Sequence, residues 1–201
     1  MMRSFLVLLL TFQAVTAQVI QRAPVPALVV QEAQQAVQQL ATEMMKENYL
    51  YAFQHMYPRL KESSAKEIGG MAALEKRFAE VPAQMRAQGI NIIDFRVENA
   101  VNAFEVKAAL FDDLRKAPEF TEYLVILPTT TLYRGVDSNT GTVKRLQRHS
   151  YQLAIRGKKP GSSWTFIDGG SMTIRQLRSL FPNLPQNEAD LRLPAQRMQE
   201  L

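Results

Sequence analysis

The stretch RLQRHSYQLAIRGKKPGSSWTFIDGGSMTIRQLRSLFPNLP, residues 145–185, contains the patterns of two strands and a helix in direct succession. Two sets of side chains alternate in its first part, one comprising His149, Tyr151, Leu153 and Ile155 and the other Arg148, Ser150, Gln152 and Ala154. This alternation is typical of a strand that turns one face toward a core. Residues 164–168 predict a return strand that ends at Gly169 and Gly170, and Ser171 or Thr173 can cap the following helix. The stretch therefore specifies an architecture and no reaction.

The chain before this stretch changes its hydrophobic period once, at Gly89. Before Gly89, apolar side chains recur at steps of three and four, which predicts amphipathic helices over residues 30–44, 49–61 and 71–87. After Gly89 the step becomes two, which predicts strands over residues 91–98, 104–110 and 123–133. Helices followed by strands indicate an α+β fold. We expect three N-terminal helices packed on a strongly curved antiparallel sheet, plus a short C-terminal helix.

The strand predicted over residues 123–133 is apolar on both faces, which favours cover on both sides, by helices on one and by a partner subunit on the other. It also contains Pro128, which cannot donate a hydrogen bond to a neighbouring strand. We therefore expect a bulge or an edge at this position.

The N-terminus has the three parts of a secretory signal peptide. Arg3 is basic, an apolar run extends from Phe5 to about Phe12, and small residues up to Ala17 precede a cleavage point before Gln18. The run is shorter than the ~20 residues that a membrane-spanning helix needs, which favours cleavage over an uncleaved anchor. The predicted organisation is a signal peptide at 1–17, a flexible lead-in at 18–28, one domain at 29–184, and a loosely ordered, proline-containing tail at 185–201.

Composition excludes several classes of function. The 201 residues include no cysteine, which excludes disulfides, thiolate catalysis and cysteine zinc sites. An exported chain without cysteine fits a bacterial envelope better than a disulfide-forming pathway. The net charge of +5 is spread along the chain without an interleaved aromatic stripe, so no nucleic-acid partner is predicted. The two histidines, His55 and His149, have no metal-ligand spacing, so neither a metal nor a cofactor is expected.

The order of the elements over residues 29–167 resembles the nuclear-transport-factor-2-like (cystatin-like) superfamily. The segments PTTTLYRG (128–135), SWTFIDGG (163–170) and LRSLFPNLP (177–185) also resemble exported, uncharacterised bacterial members. The resemblance implies a conical pocket between the helices and the concave face of the sheet, and a homodimer through the open sheet face. The family's isomerases use a buried aspartate base with tyrosine and aspartic acid donors, but no spacing here matches that set closely enough to transfer roles.

Five residues are candidates for contact with a ligand in such a pocket: His149, Tyr57, Tyr151, Tyr133 and Asp94. Histidine titrates near neutral pH, and the phenol and carboxyl groups can donate or accept protons. Each also has a simpler structural interpretation as a hydrogen-bonded or core side chain. No catalytic residue is assigned, because no acid–base pair occupies an identifiable motif.

The sequence thus favours a small-molecule-binding or protein-interaction module, periplasmic or secreted, whose partner is a small hydrophobic ligand or an envelope protein. One alternative is a cofactor-free lyase, isomerase or hydrolase acting on a small hydrophobic substrate, which requires an open pocket with His149 or an aspartate at its base. A second alternative is a structural component of an envelope assembly. It predicts a filled cone and an exposed apolar patch on the outer sheet face, at Leu124, Ile126 and Leu132.

Overall fold

The computed structural model of the chain describes residues 24–107, 120–136 and 140–201. The predicted signal peptide lies outside the described residues. Four helices come first: α1 (Ala27–Met45), α2 (Tyr49–Gln54), α3 (Pro58–Glu67) and α4 (Met71–Ala87). Five strands follow: β1 (Asn91–Val97), β2 (Asn102–Val106), β3 (Glu122–Val136), β4 (Val143–Gly157) and β5 (Thr165–Asp168). A 3-10 turn (Gly169–Ser171), α5 (Ile174–Leu180), α6 (Glu188–Leu191) and β6 (Arg197–Glu200) complete the described part.

The sheet is built around the long hairpin of β3 and β4, which pair from Glu122↔Gly157 to Val136↔Val143 without a register shift. β1 and β2 both lie along the outer edge of β3, and β5 and β6 both lie along the outer edge of β4. All of these pairings are antiparallel, so the α+β class is confirmed with a six-stranded antiparallel sheet.

Pro128 lies at the gap between β1 and β2 on the edge of β3. β1 pairs with β3 as far as Thr129, and β2 begins its pairing at Ile126. The carbonyl of Pro128 accepts from the backbone N–H of Glu98, so its missing N–H would also have faced this gap. The predicted bulge is therefore wrong, because the β3–β4 pairing is continuous. The alternative, an edge position, is confirmed locally.

The helical layer contains four N-terminal helices, and the prediction of three was wrong because Pro58 separates two of them. Tyr57 has φ −54° and ψ 125°, which is not helical, and Pro58 is the first residue of α3. A proline disfavours helical geometry in the residue before it, so the chain leaves α2 and starts α3 afresh. In the gap, Phe166 of β5 donates its N–H to the His55 carbonyl (2.7 Å) and accepts from the Tyr57 N–H (3.0 Å). These bonds attach the helices to the sheet at β5.

The two faces of the sheet have different covers. On one face, α1 packs against β3 and β4 through Ala33, Val37, Leu40, Val125, Leu127 and Ala154. On the other face, α5 and the segment after it pack on Leu124, Ile126, Leu153 and Ile155. Leu124 and Ile126 have no exposed surface, so the expected apolar patch is absent at these two positions. The homodimer through this face stays a prediction. The part of the face that α5 and the following segment cover is not available as a dimer interface.

The segment after Pro185 is ordered by contacts with the sheet, contrary to the expected loose tail. Leu191 is fully buried in the outer-face core, and β6 pairs with β4 from His149↔Arg197 to Leu146↔Glu200. Within the described ranges, no helix is long and apolar enough to cross a bilayer.

Candidate binding cavity

The helix-facing side of the central hairpin becomes polar toward the hairpin end. Side chains alternate between the two faces of a strand, so every second residue shares a face. The face that carries Val125, Leu127 and Ala154 therefore continues with every second residue toward the turn between β3 and β4. All the buried polar side chains of the described part lie on this continuation: Thr129, Thr131, Ser150 and Gln152. A buried polar side chain costs free energy unless it is hydrogen-bonded, so this patch is the most informative feature of the sheet.

A cavity of about 320 Å³ lies between this face and the helices. Its apolar wall is formed by Leu40, Met44, Ala52, Met56, Leu60 and Phe78, with Phe166 and Ile167 of β5. Four polar side chains complete the lining, namely Tyr49, Gln152, Asp168 and Ser171. The volume falls in the range of small-molecule sites, which are mostly apolar with a few placed polar groups.

Three of the four polar side chains in the lining already have protein partners. The Tyr49 hydroxyl donates to the Met85 sulfur at 2.9 Å, and burial raises the pKa of Tyr49 to about 12. The Ser171 hydroxyl donates to the Asp168 carbonyl at 2.8 Å. The Asp168 carboxylate accepts from the Gly170 N–H at 3.0 Å and from Arg148 at 3.4 Å.

Gln152 is the exception. Its side chain is only 8% exposed, it lines the cavity, and it makes no hydrogen bond to any residue that the structure describes. Two residues earlier on the same face, the hydroxyl of Ser150 is also buried without a partner. The base of the cavity therefore offers a neutral amide with free donors and a free acceptor.

Arg148 occupies the polar end of this face next to the cavity. Its guanidinium hydrogen-bonds the Asp168 carboxylate and the Tyr133 side chain. It lies where a Cβ on Gly170 would be, so the absence of a side chain there makes room for it. The glycine pair thus has a packing reason, and Asp168 is both the partner of Arg148 and the residue that caps the 3-10 turn.

The structure does not bring the five predicted site residues together. Tyr133 lies on the helix-facing side and hydrogen-bonds Arg148, without lining the cavity. Tyr57 and Tyr151 belong to the opposite, outer-face core, where Tyr57 packs against Phe181. Asp94 on β1 pairs opposite Leu132 and forms an ion pair with Arg96 at 2.6 Å.

His149 also lies on the outer face, in a chain of hydrogen bonds. The Thr130 hydroxyl donates to Glu98 at 3.1 Å and lies 3.2 Å from Nδ1 of His149. The Gln147 amide nitrogen lies 3.0 Å from Nε2 of the same ring. The residue shares a face with Tyr151, as predicted, but that face is the one turned away from the cavity.

The buried Tyr57 and the half-buried Glu122 form a pair that links the start of α3 to the start of β3. The Tyr57 hydroxyl donates to Glu122 at 3.2 Å. Burial raises the pKa of Glu122 above its ordinary value of 4.5, although the Tyr57 hydrogen bond and the Arg59 charge partly oppose this. Burial likewise raises the pKa of Tyr57.

This pair predicts a pH dependence of stability. Because the folded state holds the Glu122 proton more tightly than the unfolded state, its contribution is complete below pH 4.5 and is lost as pH rises through the folded pKa. We expect the Glu122→Gln variant to lose less unfolding free energy than the wild type between about pH 4 and about pH 7. Urea denaturation at both pH values measures this, with exposed Glu67→Gln as the control. Identical pH dependence in wild type and Glu122→Gln would contradict the assignment.

Gln152 and Asp168 are the functional candidates that the sequence analysis did not select. The sequence shows where both residues lie: Gln152 alternates with Tyr151 on a predicted strand, and Asp168 directly precedes the glycine pair. Asp168 fitted a turn, and Gln152 fitted the solvent side of a strand with one core face. Only the packing of helices on the second face makes Gln152 a buried cavity residue.

Comparison with protein-family models, with curated proteins and with solved structures finds no match. The resemblance to the nuclear-transport-factor-2-like superfamily therefore stays a prediction, and the functional argument rests on the residues of this chain. Within the described residues, no group of three or more His, Cys, Asp or Glu side chains is arranged to hold a metal ion.

Proposed function

We propose that this protein is a small-molecule-binding module of the bacterial envelope, built as a cone of the nuclear-transport-factor-2-like type. The observation that carries the proposal is the cavity between the helices and the sheet, with apolar walls and an unpartnered amide at Gln152. Eight of its twelve lining residues are apolar, which suits a small hydrophobic ligand. Release of the chain into the periplasm or medium follows from the N-terminal pattern, and the N-terminal residue of the exported protein should be Gln18. An exported protein that still begins with Met1 would contradict cleavage of the predicted signal peptide.

A cofactor-free enzyme is the second candidate, because Asp168 lines an open cavity as that alternative required. Binding is favoured over catalysis because the Asp168 carboxylate already has a structural role, as the partner of Arg148 and the cap that accepts from the Gly170 N–H. Gln152 does not titrate, and His149 lies on the other face of the sheet. Ser63 and Lys66 on α3 also have the spacing of a serine nucleophile and a lysine base, but both are exposed and neither lines the cavity.

The test is binding of N-phenyl-1-naphthylamine, a neutral probe whose fluorescence rises in an apolar site. We expect saturable binding with one site per chain. The Ala52→Phe substitution places a ring in the cavity and should abolish binding, whereas Ala72→Phe, at an exposed position of α4, should not. Circular dichroism checks the fold of each variant. Leu60→Trp is a second blocking variant from a different helix.

The proposal fails if the probe does not bind saturably, or if both blocking variants fold and still bind like the wild type. Asp168→Asn separates the two candidate functions. It should leave probe binding within about threefold in a binding module, but it should abolish turnover in any substrate screen that finds an activity.

A further inference from the structure

We propose that the ligand of the cavity is a neutral, mainly apolar molecule that carries one hydrogen-bonding group, such as a hydroxyl or an amide, and that the Gln152 side chain binds this group. The inference rests on the proposed function and specifies the class of ligand. Nothing in the resemblance to a known superfamily assigns a role to Gln152.

One polar side chain of the cavity lacks a hydrogen-bond partner among the described residues. Among its polar side chains, Tyr49, Asp168 and Ser171 have partners within the protein. Gln152 is more than nine-tenths buried and has no partner among the described residues. An amide carries two N–H donors and an oxygen with two lone pairs, and the Gln152 amide lines the cavity, where a ligand group can reach it. A ligand group that pairs with the amide therefore gains affinity that a purely apolar ligand does not.

The charge of the cavity lining favours a neutral ligand. None of its lining residues is lysine or arginine, and its single charged side chain is the Asp168 carboxylate. The neighbouring guanidinium of Arg148 is already engaged by Asp168 and Tyr133. A carboxylate or phosphate on the ligand would enter an apolar space beside a like charge and without a cationic partner, which is unfavourable. The ligand is therefore neutral.

The position of Gln152 on β4 indicates where the polar group of the ligand binds. Gln152 lies opposite Asp168 in the β4–β5 register, and both side chains line the cavity on the sheet side. The apolar wall is supplied mainly by the helices and by the α2–α3 connection. The ligand thus binds with its polar group on the sheet and its hydrocarbon part among Leu40, Ala52 and Phe78.

The experiment compares three ligands that differ at one position: naphthalene, 2-naphthol and 2-naphthoate. Each displaces N-phenyl-1-naphthylamine from the exported protein, and the dissociation constants follow from the displacement curves. In the wild type we expect 2-naphthol to bind about tenfold more tightly than naphthalene, which is the effect of about one hydrogen bond to an otherwise unpaired group. The anionic 2-naphthoate should bind most weakly.

In Gln152→Leu, the preference for 2-naphthol over naphthalene should disappear while naphthalene binds at least as tightly as in the wild type. Gln147→Leu is the matched control, because it makes the same change on the same strand with the side chain on the opposite face. It should retain the full preference. If Gln152→Leu does not fold, Gln152→Met is measured in the same way.

The possible outcomes distinguish an error in the inferred ligand class from an error in the proposed function. Equal binding of naphthalene and 2-naphthol in the wild type, or a preference that persists in a folded Gln152 variant, overturns the role of the amide. Tightest binding of 2-naphthoate overturns the neutral ligand. If neither the probe nor any of the three ligands binds, the proposed function itself is wrong. If the probe binds and the preference is absent, only the inference about the ligand class fails.

Discussion

Replacing Phe181 with alanine is expected to lower the free energy of unfolding by about 3–5 kcal/mol, the range for a phenylalanine removed from a core. Phe181 is the C-cap residue of α5 and has no exposed surface. Its ring centroid lies 5.3 Å from that of Tyr57, and it belongs to the outer-face core with Leu124 and Leu153. The loss is large because the ring joins α5 to the sheet, and its removal leaves a cavity in this core.

Urea denaturation followed by circular dichroism measures this loss. The control is Arg175→Ala, an exposed position on the same helix, which should change stability by no more than about 0.5 kcal/mol. A Phe181→Ala loss below about 1 kcal/mol would show that the outer-face core does not depend on the C-terminal segment.

Gly169→Ala is the second large effect, and we expect a loss of about 3 kcal/mol, the upper part of the overpacking range. The reason is steric, since the backbone angles of Gly169 are not in the left-handed region. A Cβ at this position would overlap the ring of Tyr151, which is buried in the centre of the sheet. Either the ring must leave its position or β5 must move away from β4, and both changes disrupt the outer-face core.

Gly135→Ala is the matched control for this substitution. Gly135 is also a sheet glycine outside the left-handed region, but a Cβ there would meet no atom within 4 Å. Its change in stability should stay within about 0.5 kcal/mol. The double variant Gly169→Ala with Tyr151→Leu tests the cause, because a smaller side chain at 151 should recover part of the loss. Additive losses in the double variant would refute a clash with the ring.

Local chemistry made much of the fold predictable. The alternation at residues 148–155 predicted β4, and Thr173 was one of two predicted caps for the helix after the glycine pair. The structure confirms the cap, with Thr173 and Gln176 in a reciprocal capping box. The sequence analysis predicted one helix over residues 49–61, whereas the chain restarts at Pro58 and the gap before it pairs with Phe166 of a distant strand, which periodicity does not show.

The candidate site was less predictable, since it depends on which layer covers which face. Strand periodicity separates Gln152 from His149 and Tyr151, yet it does not say which set faces the helices. His149 and Tyr151 attracted attention because their side chains can titrate. The N-terminal helix α1 packs on the sheet face that carries Gln152, and α5 packs on the face that carries His149 and Tyr151. Which helix covers which face depends on long-range packing, and the periodicity of one strand does not show it.

The position of α5 and α6 on the outer face has a consequence for biosynthesis. The two strands that they cover are synthesised first, so on a ribosome or during translocation the nascent hairpin displays Leu124, Ile126, Leu153 and Ile155 before their cover exists. Chaperones that recognise apolar strands would have a natural substrate during this interval. A message truncated shortly after residue 173 would yield a chain that never closes this surface, and quality-control proteases would be expected to remove it.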